Sequence, residues 1–90
     1  MGLPKIEVYT RRWCGYCVRA KAMLEERGLT YEEYDIDADS AREAEMIERS
    51  AGRRRVPQVF INGTHVGGSD DLGAAIASGE LERLVAEPNR

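Results

Sequence analysis

Two cysteines, one histidine and three prolines are all that 90 residues contain of these types, and no long apolar run occurs. Each scarcity excludes something. Two cysteines cannot build the dense disulfide framework on which small secreted domains depend. A structural zinc site takes four protein ligands and a catalytic one three, whereas the chain offers only Cys14, Cys17 and the distant His65. Zinc is therefore disfavoured. No stretch approaches the roughly 20 apolar residues of a membrane span, and there is no secretory apolar segment. Met1-Gly2 is followed by Ile6 where a myristoylation signal requires Ser or Thr. The chain is expected to be a cytoplasmic protein without a membrane partner. Its formal charge of −3 likewise argues against a general nucleic-acid binder.

What is present is enough for a modest core. Leu, Ile and Val are spread from end to end, with no linker, repeat or low-complexity stretch, so residues 1–90 read as a single domain. At this size folding does not require a disulfide staple. The two cysteines are in any case too close together to make a good one, because closing the loop Cys14-Gly15-Tyr16-Cys17 restricts the unfolded chain little. They are free for chemistry. Charge is unevenly placed: Arg11, Arg12, Arg19 and Lys21 lie between Thr10 and Leu24 without an acid, while Glu25 to Glu48 is strongly acidic.

Hydrophobic periodicity divides the chain into short elements. Lys5 to Thr10 alternates Ile6 and Val8 with polar residues and predicts a strand. Gly15 to about Arg27 favours helix, with Gly28 suited to the position just past its end. Thr30 to Ile36 predicts a second strand, joined to the first as a parallel β-α-β unit. Ser40-Ala41-Arg42-Glu43 matches a capping box, and a second helix runs from it to near Gly52. Pro57 to Ile61 and Thr64 to Val66 flank Asn62-Gly63, a dipeptide that suits the two positive-φ positions of a type I′ hairpin turn. Ser69 or Asp70 should cap a third helix that ends at Gly79, followed by a short helical turn over Glu80 to Ala86. The order β-α-β-α-β-β-α implies an α/β fold with a mixed four-stranded sheet flanked by helices. This is the thioredoxin-like architecture in small form, and a C-x-x-C at its first strand-to-helix junction is where redox chemistry is expected.

The position of that motif has a physical logic. Unpaired N–H groups and the helix dipole favour an anion at a helix start, so Cys14 should be the thiolate nucleophile. Cys17, one turn inside, is within reach of a mixed disulfide on Cys14 and should be the resolving thiol. His65 reads as a half-exposed strand residue rather than a catalytic base. Trp13 should pack over the active-site loop or face a partner protein. The run Arg53-Arg54-Arg55 is either a solvated loop or a source of positive potential over the thiolate.

Four segments in order, Val8-Tyr9-Thr10, Cys14-Gly15-Tyr16-Cys17, Val56-Pro57-Gln58-Val59-Phe60-Ile61 and Gly67-Gly68-Ser69-Asp70-Asp71-Leu72, resemble the motifs of glutaredoxins across nearly the whole chain. The resemblance implies a glutathione-dependent thiol-disulfide oxidoreductase serving electron transport and cell redox homeostasis. Its partners would be glutathione and glutathionylated or disulfide-containing proteins. It implies a cis peptide before Pro57, with the Val56 backbone pairing with the cysteine portion of glutathione. Arg11 would meet the glycyl carboxylate, and Tyr16 would line the groove. Backbone N–H groups near Ser69 and Asp70 would hold the γ-glutamyl carboxylate, and the Asp70 side chain would hold the ammonium. Ordinary helix capping is the alternative role for Ser69, Asp70 and Asp71, and a plain edge-strand start is the alternative for Pro57.

Two departures stand out. Gly15 replaces the Pro that commonly follows the first cysteine, and relatives without that Pro include dimers that share a [2Fe-2S] cluster. Such a cluster takes four thiolates, here Cys14 from each of two chains and two glutathione thiols. Because Cys17 is retained, a monomeric oxidoreductase is preferred and the cluster-bridged dimer kept as the alternative. The second departure is Arg55, where the family usually has Thr; it leaves a backbone contact at Val56 intact but could shift substrate preference. A third reading, recharging by thioredoxin reductase, is disfavoured by the Arg11, Tyr16, Ser69 and Asp70 constellation.

Overall fold

The alternation of Ile6 and Val8 with Glu7 and Tyr9 produces the expected first strand, but both of its faces are covered and all five residues are buried. The computed structural model describes residues 3–87; Met1 and Gly2, on which the lipid-anchor reading fell, lie outside them. The elements are β1 (Ile6–Thr10), α1 (Gly15–Glu26), β2 (Glu32–Asp35), α2 (Ser40–Arg49), β3 (Gln58–Ile61), β4 (Thr64–Gly67), α3 (Ser69–Ser78) and α4 (Glu80–Ala86). The sheet order is β2-β1-β3-β4. β1 and β2 are parallel, as a β-α-β unit requires, and the other pairings are antiparallel. No helix among the described residues is long and apolar enough to cross a membrane.

Strand alternation sends two different side-chain sets to the two faces of the sheet. On one face Ile6, Val8, Val59 and Ile61 pack with Ala20 and Leu24 of α1, Leu72 and Ala75 of α3, and Leu81 and Leu84 of α4. On the other, Tyr9 and Phe60 pack with Ile36 and with Met46 of α2. Each Å² of apolar area that these clusters remove from water stabilises the fold by roughly 25 cal/mol.

Local signals place the turns. Asn62 and Gly63 have φ of 50° and 84°, as a type I′ turn demands. Asn62 also does what its turn role does not foretell: it is buried, accepts from the Lys5 N–H and donates to the carbonyls of Leu84 and Glu87, tying the hairpin to the end of α4. Two helix caps differ from the sequence reading. Asp39, not Ser40, caps α2, its carboxylate accepting the Ala41 N–H at 3.0 Å, while Glu43 turns to Arg11 instead of closing a capping box. Gly68, rather than Ser69 or Asp70, caps α3, and the Asp71 carboxylate accepts the Gly68 N–H at 3.0 Å. The last element spans Glu80 to Ala86 as expected, forming a seven-residue helix, α4, because Leu81 and Leu84 have a core to enter.

Candidate active site

Cys14 is the N-cap of α1, with extended backbone, and its Sγ accepts the Cys17 N–H at 3.3 Å. A sulfur at an N-cap does here what a Ser or Asp oxygen does elsewhere: it answers one of the orphan N–H groups of the first turn. The Cys14 thiol also lies 3.9 Å from the Val56 carbonyl oxygen, and the Val56–Pro57 peptide is cis. Both cysteines are free thiols.

The pair is unequal. Cys14 is partly exposed, whereas Cys17 is 2% exposed, on the inner side of α1. Burial, and next the hydrogen bond with Cys14, push the Cys17 thiol up to about 12. Cys17 therefore stays protonated near neutrality, one turn behind the thiol that meets solvent.

Beside Cys14 runs an open groove of about 570 Å³. One wall is Val56, Pro57 and the preceding arginines, the other is the start of α3, and Tyr16 closes the end near α1. Gly67 makes the second wall possible. Its φ is 122°, and a Cβ there would lie 2.2 Å from the Asp71 carboxylate, so a side chain would destroy the hydrogen bond that starts α3. Ser69 is buried, while the Asp70 carboxylate is exposed and only 3.9 Å from Arg19. The Gly68 N–H, and after it Arg53 at 3.3 Å, hold the Asp71 carboxyl below the ordinary carboxylate range.

Of the residues singled out in the sequence, Tyr16, Val56, Pro57, Ser69 and Asp70 converge on this groove. Arg11 does not. It lines a second depression on the other side of Cys14, with its guanidinium held by Asp37 at 3.0 Å and Glu43 at 3.3 Å. Trp13 does not pack over the loop either: at φ 59° its side chain projects outward and is 94% exposed. Sequence reasoning missed Gln58. It is buried, donates to the Arg55 carbonyl at 3.0 Å and contacts His65 Nε2 at 2.7 Å, so it positions the arginine loop from below. A Gln at an inward strand position was the available signal, since a buried amide must find partners. His65 stacks on Phe60, and burial and then nearby Arg53 lower its basicity.

The glutaredoxin family model matches residues 6–66, which span β1, the cysteine pair and the hairpin. The chain belongs to the glutaredoxin family. It is 47% identical over 83 residues to glutaredoxin 3 of Escherichia coli strain K12, covering 92% of this chain and 99% of that one. The solution structure of glutaredoxin from Brucella melitensis superposes with a TM-score of 0.79 at 46% identity, covering 92% of this chain and 89% of that one. A buckwheat glutaredoxin-glutathione complex superposes with a TM-score of 0.79 at 31% identity, covering 89% and 74%. Membership in the glutaredoxin family makes the chain a thiol-disulfide oxidoreductase, and the sheet with its helices is the thioredoxin-like fold expected of one.

Proposed function

We propose that this glutaredoxin reduces protein-glutathione mixed disulfides, and protein disulfides, with Cys14 as nucleophile and Cys17 as resolving thiol. The observation that carries the reading is the asymmetry at the start of α1: one thiol reaches solvent at the mouth of a groove, and the other is buried behind it. In the first step the Cys14 thiolate attacks the glutathione sulfur. The protein-glutathione S–S bond breaks, the protein leaves as a thiolate that takes up a proton, and glutathione remains joined to Cys14. A second glutathione thiolate then attacks that sulfur, forming oxidised glutathione and restoring the Cys14 thiolate. Cys17 is not needed on this route. With a protein disulfide, Cys14 instead forms a mixed disulfide with the client, and Cys17, after losing its proton, displaces the client thiol to leave a Cys14–Cys17 disulfide. Two glutathiones reduce it.

The groove suits glutathione in chemistry and in size. A bound glutathionyl sulfur would lie near Cys14 with its cysteine backbone along Val56 and its chain against Tyr16. The γ-glutamyl carboxylate would meet the N–H groups at the start of α3 near Ser69 and Asp70, where the helix dipole favours an anion. The ammonium would take the Asp70 carboxylate, which Arg19 holds only loosely. Arg11 must leave Asp37 and Glu43 to reach the glycyl carboxylate, so its contribution is small. Two free thiols fit a reducing cytoplasm. For the cluster-bridged dimer, no group of three His, Cys, Asp or Glu side chains converges among the described residues, and a cluster could draw on this chain only through its thiols.

Deglutathionylation by Cys14→Ser and Cys17→Ser variants tests the reading. Activity should vanish in the first and persist in the second. Equal loss in both would refute the one-thiol route.

A further inference from the structure

The cations of this chain are unequally matched. Arg11, Lys21, Arg42, Arg49 and Arg53 each hold a carboxylate at 3.3 Å or less. Arg12, Arg54 and Arg55 have no carboxylate within ion-pairing distance among the described residues. All three border the reactive thiol. Arg12 shares the second depression with Cys14. Arg54 and Arg55 sit on the rim of the groove, immediately before Val56, whose carbonyl faces the Cys14 sulfur. Asp70 and Asp71 line the first depression and Glu33 and Asp35 the second, but none of them pairs with these three guanidinium groups, which in a chain of net charge −3 are left complementary to a partner that carries acids.

The shape of the surface says what kind of partner. Two depressions, of about 570 and 440 Å³, flank Cys14. A glutathionyl group fills the first, on the reading given above, and leaves the second open to whatever is attached to the other sulfur. At its edge Trp13 stands 94% exposed, with Tyr16 62% exposed across the thiol. Exposed Trp, Tyr and Arg side chains are the composition of polypeptide-binding hot spots rather than of small-anion sites.

We propose that Arg12, Arg54 and Arg55, with the exposed Trp13 and Tyr16, form a docking surface for an acidic polypeptide segment. The chain then selects clients that carry Asp or Glu beside the reacting cysteine. This rests on the oxidoreductase reading of Cys14, but the docking step can be measured without it.

The test uses glutathionylated peptides with a single cysteine and acidic, neutral or basic flanks, together with the small mixed disulfide of cysteine and glutathione. At low ionic strength the acidic peptide should exceed the basic one in kcat/KM by about 10-fold, and added salt should erase the difference. In the double variant Arg54→Glu/Arg55→Glu, with each peptide's kcat/KM divided by that of the small disulfide, the order of the peptides should invert. Equal rates for acidic and basic peptides in the wild type would overturn the proposal. So would parallel loss of peptide and small-disulfide turnover in the double variant, which would assign both arginines to glutathione. Trp13 is the single tryptophan, so its fluorescence reads docking of the same peptides with serine in place of cysteine. A change on adding the acidic and not the basic peptide sustains the proposal even if no disulfide is turned over. No difference between them overturns it.

Discussion

On the α2 side of the sheet, charge is used up within the fold; around Cys14 it is held open. Glu7 is buried in the middle of β1, yet it accepts from Arg49 at 3.0 and 3.2 Å and from the Tyr34 hydroxyl at 3.0 Å. Arg49 also donates to the Tyr9 hydroxyl at 2.7 Å and lies 4.1 Å from the Phe60 ring centroid. Tyr9 in turn donates to Glu45, which Arg42 reaches at 2.9 Å while covering the Tyr34 ring. No buried side-chain polar atom lacks a partner among the described residues. At the other site a thiol, two aromatic side chains and three guanidinium groups face solvent. Buried charge must be answered internally because an unpaired ion in the interior is costly. Exposed charge is free to meet a ligand. The same residue types thus serve stability in one region and recognition in the other.

The comparison is broken most severely by removing the open thiol. Cys14→Ser should reduce deglutathionylation to background and leave the thermal unfolding midpoint nearly unchanged, as a rate assay beside a melting curve would show. Alkylation draws the same line between the two thiols. Iodoacetamide at neutral pH should modify Cys14 within minutes and leave Cys17 intact until the chain unfolds, because Cys17 is buried and its thiol is pushed up to about 12. Mass mapping of the labelled peptides checks this.

In the region where charge is internal the effect should fall on stability. Arg49→Met leaves the Glu7 carboxylate buried without its cation and should cost about 3 kcal/mol in urea unfolding, with deglutathionylation retained in the folded fraction. The pH dependence follows from the same pair. Burial by itself would raise the Glu7 carboxyl, but the Arg49 and Tyr34 hydrogen bonds outweigh it and hold it below its ordinary value. A carboxyl lowered by folding stabilises fully above its unfolded pKa, and that stability is lost as pH falls through the folded value. Glu7→Gln should therefore flatten the fall in stability below about pH 5, measured as unfolding free energy against pH.

The smallest change tests how tightly the open site is specified. A Cβ at Gly15 would meet nothing within 4 Å, and Gly15 is the first residue of α1. Proline is tolerated there because its fixed φ is helical and the missing N–H has no partner in the helix. Gly15→Pro should stabilise by about 0.5–1 kcal/mol through the unfolded chain, visible as a rise in Tm. A loss of stability would mean that the loop before α1 needs the freedom of glycine.

Much of the scaffold was legible in short stretches of sequence. The Asn62-Gly63 turn, the αL glycines at 28 and 79, the aliphatic positions of β1 and β3 and the placing of Cys14 at a helix start are each encoded within a few residues. The helix caps were less legible. The observed caps, Asp39 and Gly68, immediately precede the expected Ser40 and Ser69, and which residue caps depends on where the chain leaves the preceding element. The ion pairing of Arg11 was not legible either. Its neighbours in sequence are cations and an aromatic, and nothing local shows that Asp37 and Glu43 would be brought to it.

By itself the sequence determined the family, the order of the elements and which cysteine leads a helix, because these depend on local periodicity, turn chemistry and spacing. Only the tertiary structure decided which charges are answered and which are left open. Arg49 finds Glu7 across 42 positions, Arg53 finds Asp71 across 18, and Arg54 and Arg55 find no acid among the described residues. Pairing is set by distances between segments far apart in the chain, and a string of residue types does not contain those distances. For the same reason the two cysteines, three positions apart and alike in sequence, differ in function: packing buries one and presents the other.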